Sequence, residues 1–104
     1  MNIMDMMKQA AQLKSKMEEM QASLEHIEVS GLAGGGLVTV TLNGKMELKG
    51  ISVDASLLKP EEKEIVEDLI VAAHADARRK SEAVMAEKTK ELTGGLPLPP
   101  GFKL

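Results

Sequence analysis

The chain has no cysteine, no tryptophan and no tyrosine, and its one aromatic residue is Phe102. Without cysteine there is no disulfide, no thiol nucleophile and no Cys-based zinc module. A core of Leu, Ile, Val, Ala and the eight Met can pack, but without Trp or Tyr it gains little per residue. The 104 residues fit one domain, 1–104, of a size that buries a modest fraction of its surface. A second copy is therefore expected to complete the core. Long apolar runs are missing too, since the longest are a few residues against the roughly 20 needed to cross a bilayer. The opening stretch, MNIMDMMKQAAQLKSKMEEM, lacks the continuous apolar segment of a signal peptide and carries Asp5 within it. These absences point to a cytoplasmic protein with no membrane partner.

The charge is unevenly spread. The net charge of −3 argues, taken alone, against a nucleic-acid binder. Residues 1–24 set three lysines against Asp5, Glu18 and Glu19, whereas residues 25–76 carry four lysines against ten acids. Residues 77–104 carry six basic residues against three acids. A local positive surface can therefore coexist with an acidic total.

What is present reads as an α+β fold. Ile3, Met6, Ala10, Leu13, Met17, Met20 and Leu24 step by three and four, the seam of an amphipathic helix over about 2–24. A half-buried strand is expected where Ile27 and Val29 alternate with His26, Glu28 and Ser30, and Gly31, Gly34, Gly35 and Gly36 are expected to form a loop. LVTVTLNGKMELKGISVD reads as a hairpin with Asn43-Gly44 at its tip, giving three antiparallel strands over about 26–54. A three-residue loop through Leu42, Asn43 and Gly44 sets Val40 against Met46 and Val38 against Leu48, with Gly44 in the left-handed bulge position. The apolar phase then slips to Ile51 and Val53, which predicts a second irregularity near Gly50. Pro60 and the acids after it suit the start of a second helix, about 60–93, with Val66, Leu69, Ile70, Ala73, Ala77, Val84 and Leu92 on one stripe. This rod, about 45 Å long at 1.5 Å per residue, outruns the small sheet, so its distal half is expected to project. The stripe thins at Lys80 and Ser81, and Gly94-Gly95 opens a Pro-rich tail, 94–104, with Phe102 as its expected anchor if it docks.

Enzyme chemistry finds no constellation. His26 and His74 sit on different elements, and His74 and Asp76 point to different helix faces. The run Glu61, Glu62, Glu64, Glu67 and Asp68 reads as a solvated helix start, and the glycines lack the following Lys-Ser/Thr or helix of a phosphate loop. No catalytic residue, metal, cofactor or small-molecule substrate is expected. The basic residues carry more. Arg78, Arg79 and Lys80 form the densest run, Lys88 and Lys90 follow on the same helix, and Lys8, Lys14 and Lys16 lie on the first. With no reading helix and no stacking aromatics, DNA binding by these groups would go through phosphates and shape.

In order and spacing, four segments resemble the YbaB/EbfC family of bacterial nucleoid-associated proteins. They are MKQAAQLKSKMEEMQ, GLAGGGLVTVTLNGKMELKGISVDASLL, EDLIVAAHADARRK and TGGLPLPPGFKL. The family often has proline where Ala55 stands here. The resemblance implies a tweezer-like homodimer whose helices project as arms and hold double-stranded DNA with little sequence preference. It also implies a place in the nucleoid and effects on gene expression. Carried onto this sequence, Arg78, Arg79, Lys80, Lys88 and Lys90 would contact phosphates, with Lys8, Lys14 and Lys16 contributing. Val38, Val40, Met46, Leu48, Leu13 and Met17 would meet the second copy. The alternative is a dimeric scaffold that does not bind DNA directly and engages another protein through its acidic middle segment.

Overall fold

The structure is a computed structural model and describes residues 2–93. The tail expectation, with Phe102 as its anchor, lies outside the described residues. Helix α1 spans Ile3–His26, strands β1, β2 and β3 span Glu28–Ala33, Val38–Asn43 and Leu48–Val53, and helix α2 spans Lys63–Thr93. The sheet is an antiparallel meander in the order β1-β2-β3. The α+β architecture expected from the sequence is the one observed.

Each helix start has a chemical cause. Asn2 caps α1 by accepting from the Asp5 amide at 2.8 Å. Pro60–Glu62 forms a 3-10 turn that leads into α2, with its acids at the positive end of the helix dipole. Asp54 caps a further 3-10 turn, Ala55–Leu57, by accepting from the Ser56 amide, so Ala55 enters that turn without a proline to set it.

The core lies between α2 and the sheet. Val38, Val40 and Leu42 of β2 are buried against Ala73, Ala77 and Leu57, with Val66, Leu69 and Ile70 packed around them. The small residues matter because β1 runs against the helix backbone. A Cβ on Gly31 would stand 2.1 Å from the Ala73 carbonyl oxygen and 2.2 Å from the Ala77 nitrogen. Gly31 is therefore the buried residue of β1, and the expected glycine loop shrinks to Gly34–Gly36, whose φ angles are all positive.

The hairpin departs from the expected register. Val38 pairs with Val53, Val40 with Ile51 and Leu42 with Leu48, so neither Val40–Met46 nor Val38–Leu48 forms. The loop is two residues further on. Asn43 N–H donates to Glu47 O at 3.0 Å around Gly44, Lys45 and Met46, and the left-handed position is taken by Met46, at φ 65°, not by Gly44. The cause is Asn43, which is fully buried. Its Oδ1 accepts from the amides of Lys45 and Glu47, and its Nδ2 donates to Glu47 Oε1 and to the Glu25 carbonyl. Gly44 is glycine for space, because a Cβ there would lie 2.8 Å from Leu24. Its amide donates to the Leu24 and Ile27 carbonyls and ties the hairpin tip to the end of α1. His26 accordingly closes α1 and is not a strand residue. The expected second irregularity is present, as a register shift that leaves Lys49 unpaired between Leu48 and Gly50.

The molecule is long, 69 × 24 × 16 Å, with a radius of gyration of 19.3 Å. A compact chain of this length would have a radius of about 13 Å. Ser81 explains the thinning of the α2 stripe: it is buried, and its hydroxyl donates to the Asn43 carbonyl at 2.9 Å. Beyond it the far half of α2 runs beside α1, where Met17, Met20, Val84, Met85, Lys88 and Thr89 are half-buried.

Candidate nucleic-acid interface

The helical run 78–80 does not form one cationic patch. Lys80 turns back to the sheet, where its ammonium donates to the Ser30 carbonyl at 2.7 Å and pairs with Asp76 at 3.1 Å. Asp76 also accepts from the Leu32 amide at 3.0 Å. That amide, then Lys80 and more weakly Arg79, hold the Asp76 carboxyl below its ordinary range. The Asp76–Lys80 pair thus clamps two polar groups of the outer β1 edge, the Leu32 amide and the Ser30 carbonyl, a structural task that the sequence did not disclose.

Arg78 and Arg79 remain largely exposed, at 62% and 70% of their side chains. Arg78 touches Glu82 through Nε alone at 3.1 Å, and Arg79 touches Asp76 through Nη2 alone at 3.3 Å. Exposed helical pairs of this kind contribute about 0.3–0.5 kcal/mol, so a phosphate competes with them readily. Both guanidiniums line a shallow cleft along α2 with Val71, His74, Ala75 and Glu82.

The α1 lysines differ. No acid lies between Asp5 and Glu18, and Lys8, Lys14 and Lys16 are exposed with no ion pair among the described residues. Lys16 shares a cleft with Lys88, which pairs with Glu91 at 3.7 Å. The structure therefore brings together Lys16 and Lys88 from different helices. Lys8 stands apart toward the tip of α1, beside Asp5, Gln9 and Gln12. Lys90 lies on the last turns of α2 and also has a bonded partner. Elsewhere Lys45 pairs with Glu25 at 2.9 Å, which lowers the Glu25 pKa and raises that of Lys45.

The residues expected at a dimer interface also separate. Val38 and Val40 are 0% and 1% exposed within a single chain, packed under α2, and offer a partner no surface. Leu48 is exposed, Met46 half-buried, and Leu13 and Met17 lie out on the α1 arm. The exposed apolar surface that sequence reasoning missed is a groove of about 240 Å³ lined by Val40, Leu48, Ile51, Ile70, Val71 and His74. It exists because α2 lies over β1 and β2 and leaves β3 at the margin. The phase slip to Ile51 was the available signal, since the bulge turns Ile51 to the helix side of the sheet beside Val40.

Residues 1–96 match the model of the YbaB/EbfC DNA-binding family. The chain belongs to this family. A nucleoid-associated protein of Rhodopseudomonas palustris (strain TIE-1) is 62% identical over 103 residues, covering 99% of this chain and 97% of the relative. The nucleoid-associated protein BRADO0764 of Bradyrhizobium sp. (strain ORS 278) is 62% identical over 101 residues, covering 97% and 95%. The crystal structure of the uncharacterized protein HP0035 from Helicobacter pylori shares the fold, with a TM-score of 0.80 over 90% of this chain and 99% of that one, at 23% identity. The family is by its description a DNA-binding one, and the Rhodopseudomonas and Bradyrhizobium relatives are named nucleoid-associated proteins. Among the described residues no group of His, Cys, Asp or Glu is placed to hold a metal ion, and no helix is long and apolar enough to cross a membrane.

Proposed function

We propose that this protein binds double-stranded DNA as a homodimer, through phosphates and duplex shape, in the nucleoid of the bacterial cytoplasm, where it affects gene expression. The observation that carries the reading is the acid-free stretch of α1 with three exposed lysines that have no ion pair among the described residues, in a chain of net charge −3. Exposed lysines on a projecting arm suit a charged rod and read no base edge. Arg78 and Arg79 extend the cationic surface onto α2, and Lys88 and Lys90 lie further along it. Lys80 is retained as the clamp on β1 and contributes only long-range charge.

The second copy covers the groove between β3 and α2. Leu48, Ile51 and Val71 are 56%, 48% and 69% exposed there, more apolar surface than a small core can leave in water. The two sheet edges are unequal. The β1 edge is clamped by Asp76 and Lys80, whereas β3, the outer strand on the other side, lies at the margin of the α2 cover. The β3 side is the open one.

The test is fluorescence anisotropy of a labelled random-sequence duplex over a series of salt concentrations. Affinity is expected to fall steeply, with a log–log slope of about −0.9 per phosphate neutralised. Arg78→Glu with Arg79→Glu is expected to weaken binding to all duplexes alike while the mass by light scattering is unchanged. Absence of binding at low salt overturns the reading and leaves a dimeric scaffold acting through the acidic middle segment, residues 25–76.

A further inference from the structure

His74 borders two adjoining concavities along α2. It closes one end of the apolar groove beside β3, and it lines the cleft that holds Arg78 and Arg79. The residue is exposed and has no hydrogen bond or ion pair among the described residues, so packing gives it no task. Its surroundings differ on the two flanks. The groove brings it Val40 of β2 and Leu48 and Ile51 of β3, and no other titratable side chain. The cleft brings it Arg78, Arg79 and Glu82, all from α2. Glu82, the one acid lining the cleft, already accepts from Arg78 Nε at 3.1 Å. That contact leaves the two terminal nitrogens of Arg78 free of it. His74 and Arg78 are four residues apart, which puts them on one helix face with about 5–6 Å between Cβ atoms. An anion in the cleft can be held between them.

We propose that His74 is a third phosphate-binding residue on α2 and acts in its protonated form, so that the chain takes up a proton when it takes up a duplex. The proposal rests on phosphate binding by Arg78 and Arg79 and adds a titratable member to that pair. An imidazole is the one side chain whose ordinary charge change falls between pH 5 and 8. Neutral, it has one ring donor and no charge. Protonated, it donates from both ring nitrogens, and its hydrogen bond to a phosphate oxygen is charge-assisted. A phosphate in the cleft therefore favours the protonated ring, and by reciprocity the protonated ring favours the phosphate. The sign follows: affinity is higher where the imidazole is charged and falls as pH rises through the imidazole range. Arg78 and Arg79 stay charged throughout and supply the binding that remains at the alkaline end. A second copy over the apolar groove would exclude water from the other flank of the ring, which strengthens its contact with an anion. His26, the other histidine, closes α1 and belongs to neither concavity.

Calorimetry of the full chain with a random-sequence duplex tests it. Titrations near about pH 7 in two buffers of unlike ionisation enthalpy count the protons taken up on binding. Net uptake is expected for the native chain and none for His74→Gln. Anisotropy titrations at about pH 6 and about pH 8 are expected to show several-fold tighter binding at the lower pH, with a log–log salt slope steeper by about 0.9 per chain. His74→Lys, charged at both, is expected to keep the steeper slope at about pH 8. The position is exposed, so both variants are expected to show the native circular dichroism. Binding without proton uptake, at one slope throughout, overturns the proposal and leaves DNA binding in place. Uptake that survives His74→Gln assigns the proton to another group and overturns it too. Absence of any binding overturns this proposal together with the one it rests on. Light scattering keeps a last outcome apart: a mass that falls at the lower pH in the native chain, but not in His74→Gln, places the ring in the dimer contact and overturns its role toward phosphate.

Discussion

Gly31 sets the distance between sheet and helix. Its missing side chain lets the β1 backbone rest on the α2 backbone between Ala73 and Ala77, both fully buried. The obstacle to a methyl group there is main chain, which has no rotamer to change, so α2 would have to lift along its length and loosen Val38 and Val40 beneath it. Gly31→Ala is expected to cost about 3 kcal/mol or more in urea denaturation, the upper end for overpacking. Gly50→Ala is the control: open space surrounds that position, and the change is expected to stay within about 0.5 kcal/mol. Asn43 and Ser81 show the same economy with polar groups. Both are buried and satisfied, and together they join the hairpin tip to the two helices.

At the scale of elements, the contact between α2 and β1 is electrostatic as well as apolar. The unfolded Asp76 carboxyl titrates near about 3.9, and in the folded chain the Leu32 amide and Lys80 hold it lower. Above the unfolded value both states are ionised and the full stabilisation is present. As pH falls toward the folded value the unfolded chain takes up its proton first, and that stability is lost. Asp76→Asn is expected to be less stable than the native chain at pH 7, with a gap that narrows as pH falls below the unfolded value and closes as it passes the folded one. Urea melts across that range measure it, and a gap independent of pH would assign the effect to packing. This clamp shows where the sequence was legible and where it was not. The three- and four-residue steps of α1, the Asn-Gly signal and the acids after Pro60 are local patterns, and the elements they announce are present. The hairpin register is not local. Its loop sits at Gly44–Met46 because the Asn43 amide bonds the end of α1, a segment about 18 residues away. Lys80 likewise reads as one of three consecutive cations, and only the tertiary fold shows that its ammonium reaches a carbonyl 50 residues away. Lys8, Lys14 and Lys16 are exposed, as an amphipathic helix reading places them, and have no ion pair among the described residues.

The whole molecule is a rod with a small core at one end, and such a shape leaves apolar surface over. The groove beside β3 is where the shortfall is greatest, and the proposed dimer turns on Ile51. It is 48% exposed, it pairs with buried Val40 across the sheet, and it faces Val71 over the groove. Ile51→Glu therefore puts a carboxylate into the proposed interface while removing little from the core of a single chain. Its far-ultraviolet circular dichroism is expected to match that of the native chain, and light scattering is expected to read the mass of one chain where the native protein reads two. Two arms on one duplex act as linked sites, so loss of the dimer is expected to lower DNA affinity by about 100-fold or more. The salt slope is expected to fall by half, because each chain then neutralises only its own phosphates. The pairing of the two effects is the informative part. A monomer that keeps native affinity and slope would mean that one arm carries the binding alone. A variant that remains dimeric would move the second copy off this groove and leave Leu48, Ile51 and Val71 to another partner.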